Sequence, residues 1–409
     1  MVRASSVSAL VLFGFSCGTA KTAPASDPTW NQDVAPIVAQ RCGGCHKPEG
    51  IAPFSLATYA DAQQHQAQVL DAVVNKRMPP WLASTDPGCE PLRDTRVMTQ
   101  AEVDTLSAWV ASGAKEGDAA TATPIKQNNV LPWVDQELTA GADYTPNDAK
   151  LDDYHCFVLD PALTGNKDVI GFEVVPGVQR EVHHVLFYSV PKNQAQALED
   201  ASPGLGWTCF GGPGTESPKL IGGWVPGNPS VRFPGQTGAR MFVGDVIIMQ
   251  VHYNLTNGPA APDQTKVRLQ YAKNPVTYSA QFFPLVDHDF KIPPQATGFS
   301  TTVQFQSPVD ATLWGLAPHM HTKGKHISVK LLPQAGSTAT PACVVDVPKW
   351  DFHWQQFYFM ESNTGLPVKA GQTFELTCTW DNPTDQQVRW GETTEDEMCL
   401  AYLYLTGAL

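Results

Sequence analysis

Charged side chains are scarce: Asp, Glu, Lys and Arg make up 16% of the 409 residues, against about 25% in an average soluble protein. A coiled coil or a long solvated helix is therefore not expected. The chain also lacks any basic run. Its 27 Lys and Arg against 40 Asp and Glu leave a formal net charge of -13, so nothing is available to neutralise a phosphate backbone, and nucleic acid is excluded as the expected partner. After the first segment, no apolar run approaches the ~20 residues a membrane span needs. The mature protein should be soluble or merely anchored. Turn-forming residues are abundant instead, and 32 Gly with 34 Pro point to many turns between short strands. The length predicts about two to three domains of ordinary size.

Residues 1–17 carry one positive side chain, Arg3, then a short apolar run over 9–15 and small residues around Cys17. This pattern reads as an export signal. Gly14-Phe15-Ser16-Cys17 loosely resembles a bacterial lipobox, although the aliphatic residue three places before the Cys is missing, so Cys17 is a candidate for lipid attachment. The expected location is exported: periplasmic, outer-membrane-anchored or extracellular in a bacterium. Residues 18–29 are small and Pro-containing, as suits a tether. Of nine cysteines, Cys17 belongs to the signal and Cys42 and Cys45 to a motif, which leaves Cys89, Cys156, Cys209, Cys343, Cys378 and Cys399. In an exported chain these predict three disulfides, whose pairing the spacing leaves open.

Folding is expected to begin near Trp30. Apolar residues recur at helical spacing over 31–40 (Val34, Ile37, Val38), 63–76 (Val69, Leu70, Val73, Val74) and 101–111 (Val103, Leu106, Trp109, Val110). Thr99 followed by Glu102 forms a capping box for the last helix. The small-residue stretch 119–124 then marks a boundary. Beyond it, alternating or continuous apolar runs predict an all-β remainder, with a second boundary near 275–295.

Cys42-Gly43-Gly44-Cys45-His46 is the Cys-x-x-Cys-His pattern through which c-type haem is attached: two thiols bond the vinyl groups and the next imidazole faces the iron. A redox Cys-x-x-Cys would want a thioredoxin-like βαβ setting, and a zinc site would want a second ligand pair. Neither is visible. Met78, held by Pro79 and Pro80, is the expected sixth ligand, with Met98 and His65 as competitors. The succession of helix, haem motif, helix, Met loop and terminal helix means that residues 30–118 resemble a small cytochrome c domain.

In the β part, His183-His184 lies on a strand, where alternation would send the two rings to opposite faces unless a bulge or strand end intervenes. Gln250-Val251-His252-Tyr253 ends another strand. His319-Met320-His321 is stronger evidence, because residues two apart share a face with Cα atoms roughly 6.6 Å apart, so both imidazoles can reach one ion. Near the end, Asp396-Glu397-Met398-Cys399 opens a core strand.

Taken in this order, together with Cys378-Thr379-Trp380, these motifs over residues 145–409 resemble the copper type II ascorbate-dependent monooxygenases, the peptidylglycine and dopamine hydroxylase family. The resemblance implies two consecutive β-sandwiches of jelly-roll type, each carrying one copper across a shared cleft. It implies an electron-accepting copper held by His183, His184 and His252, and an oxygen-activating copper held by His319, His321 and Met398, where a thioether favours Cu(I). It also implies a Cys378–Cys399 disulfide. No residues matching the family's substrate-carboxylate or catecholamine contacts are recognisable, so the substrate is not carried over. His326, His353 and Met360 read as solvated or core residues rather than ligands.

The expected architecture is therefore an export signal (1–17), a linker (18–29), a small all-α cytochrome c-like domain (30–118), a second linker (119–145) and two all-β jelly-roll-like sandwiches (146–280 and 281–409). The expected function is copper-dependent hydroxylation of a C–H bond in a small-molecule or peptide substrate by O2. Two copper ions and one covalent haem c are the expected cofactors, and the electrons come from the haem, an ascorbate-like reductant or a redox protein. The competing readings are a non-enzymatic haem and copper electron carrier, and an adhesion or carbohydrate module with structural histidines.

Overall fold

The computed structural model describes residues 27–48, 50, 52–125, 130–228 and 230–407. The export signal, Cys17 and most of the 18–29 tether lie outside these residues. The helices are α1 (Ala35–Arg41), α2 (Tyr59–Val74), α3 (Gln100–Ala111) and α4 (Lys192–Asp200). Two of them start as their sequences dictate. Thr58 and Asp61 cap α2 reciprocally, and Thr99 and Glu102 do the same for α3, each pair satisfying two otherwise orphaned backbone N–H groups.

The longer strands are β1 (Asp152–Leu159), β2 (Lys167–Val175), β3 (Val182–Pro191), β4 (Lys219–Trp224), β5 (Thr237–Met241), β6 (Asp245–Asn254), β7 (Lys266–Tyr271), β8 (Tyr278–Asp287), β9 (Ala296–Gln306), β10 (Ala311–His319), β11 (Gly324–Leu332), β12 (Ala342–Val347), β13 (Thr373–Asn382) and β14 (Cys399–Thr406). A ten-stranded sheet runs through β7, β2, β5, β8, β14 and β10, with short strands at its margins. A five-stranded sheet containing β1, β6, β3 and β4 packs on its first half through Phe157, Phe172, Phe187, Ile247 and Met249. A four-stranded sheet, β9-β13-β11-β12, packs on its second half through Leu316, Val329, Leu376, Trp380 and Leu403. Alternate residues of β13 are buried, as a strand with one face on a core requires.

This architecture corrects the expected fold class, a small all-α cytochrome c domain followed by two all-β jelly-roll-like sandwiches, at its N-terminal part. The chain is mostly β-sheet with short helices, and residues 30–118 do not close into a self-contained all-α unit. Their helical core is small, built on Trp30, Val34, Leu56, Leu106 and Trp109. The Pro-rich stretch between α2 and α3 has no helical periodicity and runs along the β part instead. Ser84 donates its N–H to the Asp346 carbonyl, Leu92 bridges to Met360, and Cys89 is bonded to Cys343. The two β halves, each with its own core, share one sheet. The parallel pairing of β5 with β8 joins them edge to edge into one sheet.

Besides Cys89–Cys343, disulfides join Cys156 to Cys209 and Cys378 to Cys399, the last being the pair the family resemblance implied. Three disulfides fit an exported protein. Among the described residues, no helix is long and apolar enough to cross a membrane.

Candidate metal centres

His184 and His252 face each other across β3 and β6, directly paired in register. The register slips between Val182 and His184, and this irregularity lets His183 turn toward the same point as its neighbour. As a result the Nδ1 atoms of His183, His184 and His252 form a triangle with sides of 3.2 to 3.3 Å. Nε2–H of His252 donates to Asp152 Oδ1 at 2.9 Å, which leaves its Nδ1 bare and turned inward. Burial drives the His183 and His184 rings well below their usual pKa, with neighbouring imidazoles adding to it, so both are neutral. His252 is lowered by burial in the same sense, against the opposing pull of Asp152. Three neutral imidazoles converging on one point, His252 buried and the other two half-buried, are the donor set a cation such as copper or zinc takes.

The residues around this triangle hold it in place. Tyr154 stacks on His252 with centroids 4.0 Å apart. Burial works to raise the Asp152 carboxyl, but hydrogen bonds from His252, Asn254 and Thr394 outweigh it and hold the group well below the carboxylate range. Thr394 Oγ1 donates to Asp152 at 3.0 Å, so this carboxylate also holds the loop that leads to Met398.

The second group sits where β10 ends. His319 donates from Nδ1 to Gln355 Oε1 at 2.5 Å and His321 from Nδ1 to the Asp396 carbonyl at 3.2 Å, which leaves Nε2 bare on both rings. The centroids of these rings are 5.1 Å apart. Burial lowers His319 to about 4 and His321 to about 3. His319 is paired in register with Leu400, so continuing the ladder by two residues brings Met398, itself buried, level with His321. Two bare imidazoles joined by a thioether would form a softer set than three imidazoles and one that zinc seldom uses.

Glu397 locks this corner. It is fully buried and accepts hydrogen bonds from the N–H groups of His321 and Lys323 and from Trp380 Nε1. Burial pushes its carboxyl up to about 7, with those donors limiting the rise.

One side chain touches both groups. Phe352, on the short turn Phe352–Trp354, stacks on His183 at 4.7 Å and meets His321 edge-on at 5.8 Å. The same turn leads to Gln355, the acceptor for His319.

A cavity of about 1560 Å³ opens beside this turn and is lined by His183 and Phe352 on one side and by Cys42, Cys45, His46 and Met78 on the other. Ligand pockets usually hold roughly 300–1,000 Å³, so there is room for more than one small molecule. His46 donates from Nδ1 to the Phe54 carbonyl at 3.0 Å, leaving Nε2 as its free donor atom. Burial pushes the Cys42 thiol up to about 12, with Cys45 adding to it, and burial raises Cys45 as well. Neither is the low-pKa thiolate of a redox Cys-x-x-Cys. Met78 lines this cavity, whereas Met98 packs against the helical core and His65 stacks on Phe54 at 3.9 Å. Gly227, at φ 81°, approaches so closely that a Cβ there would lie 2.6 Å from Cys45 Sγ.

The structure thus brings His183, His184 and His252 together, places His319, His321 and Met398 at one strand end, and sets Cys42, Cys45, His46 and Met78 around one cavity. Sequence reasoning missed Asp152, Phe352 and Gln355. Their partners lie up to 242 residues away, so no local pattern could signal them. It quoted Glu397 only as part of a strand opening.

Residues 281–406 match the family model for the copper type II ascorbate-dependent monooxygenase, C-terminal domain. That stretch includes His319, His321 and Met398 and excludes the triangle and the Cys-x-x-Cys-His motif. Among solved structures, the chain is similar to the major capsid protein P2 of bacteriophage PM2 at 8% identity, over 67% of this chain and 97% of that one, with a TM-score of 0.30. It is also similar to Broad Bean Stain Virus at 7% identity, over 71% and 95%, with the same TM-score. Likeness this slight bears on neither fold nor function. The family match supports copper, an oxidoreductase of the monooxygenase class, and substrate, O2 and an ascorbate-type reductant as its reactants.

Proposed function

We propose that this chain is an exported copper-dependent monooxygenase that inserts one oxygen atom of O2 into a C–H bond of an organic substrate. In this reading His183, His184 and His252 hold the copper that relays electrons, and His319, His321 and Met398 hold the copper that meets O2. Copper supplies the one-electron chemistry by which O2 and a C–H bond become an alcohol and water with two electrons and two protons. The chain's own residues do the rest. Asp152 and Gln355 fix which ring nitrogen faces each ion, Glu397 holds the loop that presents Met398, and Phe352 packs between the two groups.

The observation that carries the reading is the convergence of three neutral imidazole nitrogens on one point, one aromatic ring away from a second histidine group that lies within the matched copper monooxygenase domain. Covalent haem c at Cys42 and Cys45, with His46 and Met78 as axial ligands, is the proposed source of electrons for the first copper. The shared cavity, the free Nε2 of His46 and the protonated thiols support it. An ascorbate-like reductant or a redox protein is the alternative donor, and a periplasmic or lipid-anchored location belongs to the same proposal.

The test is incubation of reduced, copper-loaded protein with substrate pools under labelled dioxygen. A product that gains one labelled oxygen atom is expected. Two bound coppers without substrate-dependent oxygen consumption would favour an electron carrier instead.

A further inference from the structure

The sheet edges of this fold are closed in different ways, and one is left open. Among the described residues, the ten-stranded sheet ends on strands of four and two residues, Gln136–Thr139 and Tyr358–Phe359. The five-stranded sheet ends on the two-residue strand Trp207–Thr208 and on β4, which is buried beyond Lys219. In the four-stranded sheet, β12 is covered by the strap between α2 and α3. The Cys89–Cys343 disulfide holds that strap, and the N–H groups of Ser84 and Glu90 donate to the carbonyls of Asp346 and Cys343. The other edge is β9, eleven residues long, which pairs with β13 on one side and with no strand on the other. An antiparallel strand turns alternate N–H and C=O groups to each side, so those on the free side of β9 have no backbone partner among the described residues.

Edges of this length are ordinarily blunted by lysine, proline, inward-pointing charge or a bulge. β9 contains no charged residue and no proline, and its one irregularity, between Ala296 and Phe299, lies at its start. The carboxylates that touch it, Asp287, Glu375 and Asp381, accept hydrogen bonds from Thr301, Gln304 and the Gly298 N–H. Exposed Ser300, Thr302, Gln304 and Gln306 alternate with Phe299, Thr301, Val303 and Phe305. Phe299, Val303 and Phe305 pack on the second core yet stay only half-buried, and Phe305 meets Phe283 of β8 at 4.5 Å. The sandwich is open along this seam, where one more strand would cover the three side chains.

We propose that β9 is the surface through which two copies of this chain pair, edge to edge and antiparallel about a two-fold axis, joining their four-stranded sheets into one. Charge favours a second copy as the occupant. With a net charge of -13, two chains repel over most of their surfaces, and an uncharged strand is where they meet without like charges opposed. The edge is also its own complement. An axis through Thr302 sets Thr302 against itself, Ser300 against Gln304, Thr301 against Val303 and Phe299 against Phe305, so core-facing residues meet core-facing ones and polar ones meet polar ones. The pairing is independent of the copper reading.

The test is sedimentation of the full chain over a range of concentrations, which should show a species of twice the mass of one chain. Ser300→Lys with Thr302→Lys, and Ser300→Glu with Thr302→Glu, place like charges across the axis at exposed positions. Each pair of substitutions should weaken association by about tenfold or more. Mixing the two variants in equal amounts should restore the dimer, which misfolded variants could not do. Thr302→Cys, with Cα atoms about 4.5–5.5 Å apart across the axis, should cross-link two chains on oxidation, whereas a cysteine at Thr377, its register partner on β13, is one strand too far in. A monomer at every concentration would overturn the proposal and leave the edge to the strand of another protein. A dimer that both charged variants leave intact would overturn it as well, because its contact would lie elsewhere, and so would cross-linking through Thr377→Cys but not Thr302→Cys.

Discussion

The two histidine groups differ in how much of each is already in place before any ion binds. His184 and His252 sit opposite each other within paired strands, and a register slip adds His183, so three ring nitrogens stand 3.2 to 3.3 Å apart on rigid backbone. His319 and His321 sit where β10 stops, aimed by hydrogen bonds to Gln355 and Asp396 from two other segments. Their third candidate partner, Met398, comes from a loop held by Glu397. A site built into strands fixes its geometry and suits a relay that gains and loses an electron without rearranging. A site assembled from a strand end and two loops leaves an approach open for O2 and substrate. The difference is one of support, because the rings of both sets are neutral and at least half-buried.

The largest expected effect follows from the softer set. Met398→Ala should lower turnover by at least about 100-fold, since even outer partners of metal ligands are worth about 10 to 100-fold, while the triangle stays filled. Copper counting should fall from two per chain toward one. Normal turnover in Met398→Ala together with loss in Met360→Ala would reassign the ligand, although Met360 packs in the core at 2% exposure.

Asp152→Ala probes the support of the rigid group. It frees the His252 ring to adopt the wrong tautomer and also releases Thr394. Copper affinity at the triangle should fall by about 10 to 100-fold, and at the second group by less, as the Thr394 loop loosens. Equal losses at both would mean that the two groups share one support, erasing the contrast between them.

Acid should act on both groups. In the copper-free protein His319 titrates near 4 and His321 near 3, against about 6.5 in an unfolded chain. Below pH ~6.5 the unfolded chain takes up protons that the folded rings refuse, so stability is present above that pH and is lost as pH falls toward the folded values. Each histidine contributes a slope of up to about 1.4 kcal/mol per pH unit. Glu397 runs the other way. Its folded value is raised to about 7, so its contribution is full at low pH and is lost as pH rises through 7. The histidines outnumber it, and melting temperature should fall between pH 6.5 and 4. A flat profile there would show that the rings are protonated in the fold. His321→Gln should reduce the slope by one proton.

Periodicity and alternation were enough to read the helices near the N-terminus, the capping boxes and the predominance of strands, because these depend on neighbours in sequence. The candidate ligands were legible for a similar reason: His-His, His-x-His and Glu-Met-Cys are short patterns. What stayed hidden depends on distant contacts. Nothing around Cys89 signals that it bonds Cys343, 254 residues on, and so the stretch between α2 and α3 was read as part of a helical domain when it is strapped along the β part. The pairing of β5 with β8, which makes the ten-stranded sheet common to both β halves, likewise has no local trace. Asp152 looks like any strand-opening carboxylate until His252 and Thr394 fold against it.

The smallest effect is the sharpest control, and it lies between two residues that matter. His353 follows Phe352 on the turn that touches both histidine groups, and a charge on it would disfavour charge on His183. By proximity alone it is a rival ligand. Its side chain is 77% exposed, however, and its Nδ1 donates at 3.0 Å to Asp351, the residue that caps its own turn. Exposed pairs of this kind contribute about 0–1 kcal/mol. His353→Gln should therefore keep both coppers, change stability by less than about 1 kcal/mol and leave turnover within about twofold. Phe352→Ala, one residue away, removes the ring that stacks on His183 and meets His321, and should cost more in turnover than His353→Gln. If the order were reversed, His353 would be a ligand to the first group, and the rigid triangle would be only part of a site that the turn completes.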